Sequence, residues 1–189
     1  MIRIAVVGDI GSGKSHIAKL FGYPVFNADL EVANIYKKNK NCFKKLKKNL
    51  PKYFLLFPAT KSQIIKTIED REKNLKKITK IIHPEVRKKL SIFLKKNIKR
   101  KAIILDIPLL LENKLNQKSD MIIFVQSKKS EIIKRLKKRD NFNLNLYKRF
   151  KKMQLSLSYK KKKANHIIKN NFTSKLVKIV VKKILKEII

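Results

Sequence analysis

A short glycine-rich segment near the amino terminus constrains the fold of this chain more than any other feature. All four glycines lie within the first 22 residues, and three of them fall in the segment GDIGSGKS at positions 8–15. This segment fits the pattern G-x-x-x-x-G-K-[ST] in full. It follows the apolar run IRIAVV at 2–7 and precedes residues 14–21, where apolar side chains recur at helical spacing. The order strand, glycine loop, helix predicts a phosphate-binding loop.

The residues of this loop are suited to holding a nucleoside triphosphate. A polyphosphate is wrapped by backbone N–H groups, so side chains must be absent where the chain curls around it. We expect the Lys14 ammonium to reach the β- and γ-phosphates and the Ser15 hydroxyl to bind the Mg²⁺ that bridges them. The predicted ATP site comprises Gly11, Ser12, Gly13, Lys14, Ser15 and His16. The alternative is a glycine turn that carries a lysine by chance.

Apolar runs of strand length recur along the rest of the chain. They are PVFNA at 24–28, AIILDIP at 102–108, MIIFVQ at 121–126 and HIIK at 166–169. Helix-like sequence follows them, and this alternation of strands and helices is typical of a parallel sheet. We therefore predict an α/β fold of the P-loop NTPase type, with a mainly parallel sheet flanked by helices on both faces.

Two helical segments carry more specific predictions. Residues 30–98 are mostly helical in pattern, and His83-Pro84 predicts the start of a new helix because proline suits a first turn. Residues 174–189 predict an amphipathic closing helix packed on the sheet. Its expected buried stripe consists of Leu176, Val180, Ile184 and Ile188. A basic helix of this kind can alternatively lie on a membrane surface.

Two aspartates are candidates for roles beside the phosphates. Asp29 falls just past the carboxyl end of a predicted strand, where it would face the crevice that holds the loop and orient an acceptor hydroxyl. Asp106 ends the run AIIL, a position from which a carboxylate meets the metal through a water. Structural roles remain open for both: a surface or helix-capping role for Asp29, and a turn at the strand end for Asp106.

Arginine is scarce in this chain, so the retained arginines are candidates for sites that need a planar cation. Only seven of the 49 basic residues are Arg. Arg135 and Arg139 are four apart on one face of a predicted helix, and Arg149 follows in a lysine-rich segment. A guanidinium can grip a phosphate in a fork or stack on adenine. A solvated helix face is the alternative for one of them.

The composition excludes several classes of protein. The 49 Lys and Arg against 13 Asp and Glu give a formal net charge of +36, which we interpret mainly as solvated surface and less as a nucleic-acid-binding face. The single Cys42 excludes an intrachain disulfide, and the three histidines show no metal-ligand spacing. No apolar stretch reaches the roughly 20 residues of a spanning helix, and no signal-peptide pattern is present. We expect a cytoplasmic protein with no membrane partner and no specific nucleic-acid partner.

Taken together, these motifs resemble the dephospho-coenzyme A kinase family along nearly the whole chain. The family's GGIGSGKS-type loop corresponds to residues 8–15, with Asp9 in place of a glycine. Its D-A-D segment corresponds to Asn27-Ala28-Asp29, and Asn34 stands where the family has Arg. The HP pair, the PLLFE block and the A-D-x-V-I-x-N tail of the family correspond to residues 83–84, 108–112 and 164–170.

The resemblance implies an activity and a role for each matching residue. The activity is transfer of the γ-phosphoryl group of ATP to the ribose 3′-hydroxyl of dephospho-coenzyme A. Asp29 would be the catalytic base, Lys14 would bind the travelling phosphate, and Arg139 would belong to a mobile lid. Mg²⁺ is assigned to Ser15 and Asp106. Contacts with the acceptor are assigned to His83, Pro108 and Leu109.

These assignments predict how a single kinase domain, expected to be a monomer, is divided by function. The nucleotide core would comprise residues 1–29, 100–138 and 165–189. A helical acceptor-side insertion would occupy residues 30–98, and a helical lid would occupy residues 139–164.

Two other functions are compatible with the residues. A P-loop enzyme can phosphorylate another nucleoside or nucleotide, because the loop does not determine the acceptor. A nucleic-acid-binding protein with a secondary P-loop would need base-stacking aromatics in a basic groove. Instead, Tyr53, Phe54 and Phe57 cluster with leucines, as in a core or the wall of an acceptor pocket.

Overall fold

The computed structural model describes residues 1–138 and 142–189. The strands are β1 (Ile2–Gly8), β2 (Val25–Asn27), β3 (Ala102–Asp106), β4 (Met121–Gln126) and β5 (His166–Lys169). The helices are α1 (Lys14–Leu20), α2 (Ala28–Lys38), α3 (Lys40–Asn49), α4 (Lys61–Asp70), α5 (Glu72–Lys96), α6 (Lys129–Lys137), α7 (Leu144–Lys152), α8 (Leu157–Lys162) and α9 (Ser174–Ile188). The chain divides into a first unit, Met1–Asn27 with Asn97–Ile189, and a second unit, Ala28–Lys96.

The first unit is built on a sheet whose paired strands all run parallel. The strand order is β2-β3-β1-β4-β5. Ile4, Ile104 and Ile123 are fully buried on one face, and Ala5 and Leu105 are fully buried on the other. Burial on both faces explains why these strands are continuous apolar runs in the sequence. The predicted α/β fold, with a mainly parallel sheet flanked by helices, is confirmed.

The carboxyl ends of parallel strands lie along one edge of a sheet, and this edge positions the candidate site. The register pairs Gly8 at the end of β1 with Val125 on β4. It also pairs Asn27 at the end of β2 with Asp106 at the end of β3. Asn170 follows directly after the end of β5. Polar residues from several strands therefore converge on the segment that leaves β1.

Helix α9 packs on the sheet, and the predicted apolar stripe is wrong at Leu176 and Val180 but right at Ile184 and Ile188, which lie in or against the core. Val177, Val181 and Ile184 are buried in the core, whereas Leu176 is 59% exposed and Val180 is 37% exposed. Apolar residues occupy more than one side of this helix, so periodicity alone does not determine which side faces the sheet. In the described ranges, no helix is long and apolar enough to cross a membrane.

The second unit consists of helices α2 to α5. Its interior contains Phe43 and Leu46 of α3 together with Ile78 of α5. Cys42 is also buried, and this burial, with a smaller contribution from the charge of Glu85, raises the pKa of its thiol to about 11. The thiol is therefore protonated at neutral pH, and a protonated thiol is a poor nucleophile.

The prediction that His83-Pro84 starts a helix is wrong. Both residues lie inside α5, which runs without interruption from Glu72 to Lys96. A proline in a helix interior removes the hydrogen bond to the carbonyl four residues earlier. Pro84 and Lys80 are both exposed, so water can reach that carbonyl, while the buried Ile82 anchors the same turn. Tertiary packing therefore outweighs the local cost of proline.

The predicted functional regions match stretches of secondary structure, but their roles stay predictions. Helices α2 to α5 fill most of residues 30–98. Helices α7 and α8 fill most of residues 139–164, the expected lid. Residues 139–141 of that segment lie outside the described residues.

Replacing Val181 by alanine is expected to destabilise the protein far more than the same replacement at Val180. Val181 is 1% exposed, so its truncation leaves a cavity against the sheet, whereas Val180 already faces solvent. We expect Val181→Ala to lower the free energy of unfolding by about 2 kcal/mol and Val180→Ala by less than about 0.5 kcal/mol. Urea unfolding followed by circular dichroism measures both. Both variants change helix propensity by the same amount, so any difference in the free energy of unfolding reports burial. Equal losses in the two variants would contradict the described orientation of α9.

Candidate nucleotide-binding site

The segment between β1 and α1 forms a loop whose backbone is held by residues from elsewhere in the sheet. The side-chain amide of Asn170 donates to the carbonyl oxygen of Ser12 at 2.8 Å. The Ser127 hydroxyl donates to the same oxygen at 3.1 Å. Within the loop, the Ser12 N–H donates to the carbonyl oxygen of Asp9 at 3.2 Å. The loop is therefore held by residues that follow β4 and β5 and by its own backbone.

Gly13 must be glycine for two reasons that act independently. Its φ of +91° lies in the left-handed region, where a side chain is strained. In addition, a Cβ atom at this position would lie 2.4 Å from Nδ2 of Asn170. Gly8 is restricted in the same way, because a Cβ there would lie 2.6 Å from the carbonyl oxygen of Val125. Gly8 and Gly13 are thus required because other atoms of the chain lie too close to allow a side chain.

Two ammonium groups contact Asp9 in this loop. Lys14 Nζ donates to the backbone carbonyl oxygen of Asp9 at 2.6 Å, and Lys14 is only 8% exposed. Lys151 Nζ on α7 lies 2.5 Å from Oδ1 of Asp9. The same carboxylate oxygen accepts a hydrogen bond from the Ile10 N–H at 2.7 Å. The predicted phosphate-binding cation is therefore held at the loop itself.

A cavity of about 210 Å³ lies beside the loop. Its lining consists of Gly13, His16, Arg135, Asn170, Phe172, Thr173 and Val177. The Arg135 guanidinium lies over the Phe172 ring, 4.3 Å from the ring centroid. The cavity is smaller than the roughly 300–1,000 Å³ of a site that encloses a whole ligand, so it has room for only part of a nucleotide. Aromatic rings and planar cations are the groups that stack on a nucleobase.

Sequence reasoning does not identify Ser127, Asn170 or Phe172 as site residues. Phe172 adopts a φ of 65°, which is unusual for a residue other than glycine. Its N–H donates to Oδ1 of Asn170 at 2.9 Å, so Asn170 supports both Phe172 and the loop. The one available signal is the position of Asn170 at the end of the tail signature. Nothing in the sequence indicates that Ser127 or Phe172 would lie beside the loop.

The predicted metal ligands are oxygen donors of the first unit. Ser15 is exposed near the start of α1, and Asp106 is 2% exposed at the end of β3. Nδ2 of Asn27 donates to Oδ2 of Asp106 at 2.6 Å, which fixes the orientation of the carboxylate. Over residues 1–138 and 142–189, no three His, Cys, Asp or Glu side chains are grouped as metal ligands. This sparse oxygen set fits Mg²⁺, which in phosphate sites uses one or two carboxylates together with substrate phosphates and waters.

The other predicted residues of the first unit lie close to strand ends in the chain. Gly11 lies in the loop, where an added Cβ would be 3.0 Å from the Ile132 side chain of α6. Pro108 and Leu109 follow β3 and are partly buried. Arg139 lies outside the described residues.

The two predicted acceptor-side residues of the second unit lie on different helices. Asp29 is exposed in the first turn of α2, two residues after the end of β2. His83 is partly buried in α5, and burial, followed by the charge of Arg87, lowers the pKa of its imidazole. His83 is therefore neutral at pH 7. The convergence of Asp29 and Lys14 on one phosphate stays a prediction.

A parallel sheet whose first strand leads into a glycine loop of this geometry defines a P-loop nucleotide-binding protein. The model of the dephospho-CoA kinase family matches residues 2–175. The chain belongs to this family, as its motifs predict.

Individual proteins agree with this assignment. The dephospho-CoA kinase of Wolbachia sp. subsp. Brugia malayi (strain TRS) is 36% identical over 142 residues, which cover 72% of this chain and 73% of that protein. The dephospho-CoA kinase of Wolbachia pipientis wMel is 33% identical over 181 residues, covering 92% and 91%. Among solved structures, TT1252 from Thermus thermophilus is 26% identical and aligns with a TM-score of 0.79, covering 100% of this chain and 98% of its own.

Replacing Gly13 by alanine is expected to weaken ATP binding by about 100-fold or more, because the new methyl group displaces the loop or Asn170. Gly22→Ala is the matched control. Gly22 has a φ of +73°, but nothing lies within 4 Å of an added Cβ. Both variants carry the left-handed strain of about 1 kcal/mol, and only Gly13→Ala adds the clash. Titration with a fluorescent ATP analogue measures the difference, and similar affinities in the two variants would contradict the described loop geometry.

Proposed function

We propose that this chain transfers the γ-phosphoryl group of ATP to the ribose 3′-hydroxyl of dephospho-CoA, giving CoA and ADP. The observation that carries the proposal is the family match over residues 2–175, which includes the loop, Asp29 and the expected lid. The loop geometry supports it, because Gly8 and Gly13 have no room for side chains. The reaction completes coenzyme A biosynthesis.

The loop would bind the phosphates of ATP. Its backbone N–H groups and the Lys14 ammonium supply positive charge where the β- and γ-phosphates lie. In the structure, the Lys14 ammonium rests on the carbonyl oxygen of Asp9, 2.6 Å away. A neutral carbonyl is a weaker partner than a phosphate, so Lys14 can exchange one for the other when ATP binds.

The cavity beside the loop would bind the adenine ring. Arg135 and Phe172, with the guanidinium 4.3 Å from the ring centroid, offer a planar cation and an aromatic ring at its wall. Gly13 and Asn170 line the same cavity, so a base placed there lies next to the phosphate loop. Arg135 would then be the retained arginine that stacks on adenine.

Ser15 and Asp106 would hold Mg²⁺ with the phosphates. When bound, Mg²⁺ neutralises charge that builds up on the β- and γ-phosphate oxygens. Asp106 would act through a water, since it is 2% exposed and already accepts a hydrogen bond from Asn27. Asn27 would help to orient the carboxylate for this role.

Asp29 would orient the acceptor hydroxyl and accept its proton. In a loose phosphoryl-transfer transition state the proton leaves late, so an ordinary carboxylate is a sufficient base. Its exposure in the first turn of α2 leaves it accessible to a substrate. His83, Pro108 and Leu109 would contact the remainder of dephospho-CoA, and Arg139 of the lid would bind the phosphates.

We further propose a monomeric enzyme of the cytoplasm. The loop, the cavity and the Asn27–Asp106 pair are all formed within one unit of one chain. A buried, reduced Cys42 suits a reducing compartment. The alternatives, a kinase with another nucleoside or nucleotide acceptor and a basic nucleic-acid-binding protein, are not favoured by the family assignment.

A coupled ADP-release assay tests the proposed function. With Mg²⁺ and ATP, we expect turnover with dephospho-CoA and at least about 100-fold lower kcat/KM with adenosine, AMP or cytidine monophosphate, because only dephospho-CoA fills the acceptor site. Mass spectrometry of the product identifies CoA. Equal turnover with the smaller acceptors would refute dephospho-CoA as the substrate.

Replacing Asp29 by asparagine is expected to lower kcat by about 10² to 10⁴-fold, the usual contribution of a positioned base. ATP affinity should stay within about twofold, because Asp29 acts on the acceptor. Glu31→Gln is the control, since Glu31 is the other acidic residue in the first turn of α2. Steady-state kinetics separates kcat from KM. If Asp29→Asn turns over at the rate of Glu31→Gln, the base assignment is wrong.

A further inference from the structure

Asp9 places a carboxylate inside the phosphate-binding loop, at a position where the family pattern has glycine. The Asp9 side chain is 9% exposed. Water screens a buried charge poorly, so this carboxylate repels the phosphates of ATP more strongly than an exposed one does. The chain therefore needs a way to neutralise Asp9 without losing the positive field of the loop.

Lys151 supplies a positive charge at this carboxylate. Its Nζ atom lies 2.5 Å from Oδ1 of Asp9, although the two residues are 142 positions apart. The Lys151 side chain is 37% exposed and the Asp9 side chain 9%. In a partly buried pair of this kind, the attraction is stronger than in a pair fully surrounded by water.

A second side chain shows that the same face of α7 is directed at the loop. Tyr147 lies one helical turn before Lys151, so the two share a face. Burial, followed by the negative charge of Asp9, raises the pKa of the Tyr147 phenol. Two residues of α7 therefore lie within the electrostatic reach of one loop carboxylate.

Asp9 also connects this helix to the phosphate-binding lysine. Its carboxylate contacts Lys151, and its backbone carbonyl accepts from Lys14 at 2.6 Å. A displacement of Asp9 toward or away from α7 therefore also moves the atom on which the Lys14 ammonium rests. Asp9 therefore links the ion pair with Lys151 on α7 to the position of the Lys14 ammonium.

We propose that Lys151 is a positioning residue for ATP: it neutralises Asp9 and fixes α7 against the phosphate-binding loop. Lys151 acts through Asp9 and does not touch the reacting atoms. The inference rests on the proposed function only in that the loop must bind ATP. Without Lys151, the unpaired carboxylate of Asp9 would repel the phosphates of ATP and weaken their binding.

The test is a double-mutant cycle read out as ATP affinity in the full chain. Lys151→Gln is expected to raise the Kd and KM for ATP by about tenfold while kcat falls less than about twofold, because the repulsion acts on binding. Asp9→Asn removes the negative charge and retains an oxygen that can accept a hydrogen bond from the Ile10 N–H. The double variant Asp9→Asn with Lys151→Gln is therefore expected to recover ATP affinity to within about threefold of the unmodified protein.

Lys152→Gln and Lys151→Arg are the matched controls. Lys152 is the exposed neighbour on α7, and its loss removes the same charge, so ATP affinity should change less than about twofold. Lys151→Arg keeps the charge and should bind ATP within about threefold of the unmodified protein. Equal defects in Lys151→Gln and Lys152→Gln would overturn the proposal, because they would indicate only the general loss of positive charge.

A purely structural ion pair would give a different pattern. It predicts that Lys151→Gln lowers the Tm and that Asp9→Asn does not restore ATP binding, and this result would also overturn the proposal. ATP affinity is measured without acceptor, so the inference and the proposed reaction fail separately. A protein that shows the rescue but does not phosphorylate dephospho-CoA would sustain the Asp9–Lys151 inference and refute the proposed function.

Discussion

The hydrogen bonds of one buried side-chain amide hold the nucleotide-binding edge of this molecule together. Asn170 donates to the carbonyl of Ser12 and accepts from the N–H of Phe172, and its own backbone N–H donates to the carbonyl of Gln126. It thereby connects the phosphate loop, the end of β4 and the wall of the adjoining cavity. Removing the amide would take this acceptor from the part-buried Phe172 N–H and would leave the Ser12 carbonyl with the Ser127 hydroxyl as its remaining side-chain donor. A polar group left unpaired in a protein interior costs about 1–3 kcal/mol. The absence of a side chain at Gly13 is the condition that allows this amide to approach.

The large positive charge matters chiefly where a lysine is buried or paired. A net charge of +36 spread over a solvated surface is screened within about 10 Å at ordinary salt. Lys160, in contrast, is 1% exposed and contacts Glu112 at 2.7 Å. The same carboxylate accepts a hydrogen bond from the Leu155 N–H at 3.0 Å, so Glu112, the last residue of the segment 108–112, anchors both α8 and the residues before it. This pair holds α8, in the expected lid segment, to another part of the first unit.

The sequence predicts the sheet and the loop well because both depend on local patterns. Buried parallel strands are apolar runs bounded by breakers, and the glycine loop requires a fixed spacing of residues. The closing helix is predicted in place, but its buried stripe is wrong in the first half, since Leu176 and Val180 are as apolar as the buried Val177 and Val181. The helix start at His83-Pro84 is wrong because the packing of α5 outweighs a local proline preference.

The parts of the site that sequence reasoning misses depend on contacts between distant residues. Asn170 is 158 positions from Ser12, and Lys151 is 142 positions from Asp9. No local pattern encodes which lysine among so many reaches Asp9. Phe172 is one of ten phenylalanines, and only its position after β5 places it beside Arg135. Only the folded structure identifies these residues, because folding brings the strand ends and α7 next to the loop between β1 and α1.

The buried thiol of the second unit gives the molecule an internal reporter of its own opening. With a pKa of about 11, Cys42 is almost entirely un-ionised at pH 7, and the folded chain shields it from bulky reagents. Alkylation must therefore await a fluctuation that separates α3 from its neighbours. The rate at which the native protein takes up a thiol label consequently reports how often the packing around α3 opens, and no other cysteine of the sequence contributes to the signal.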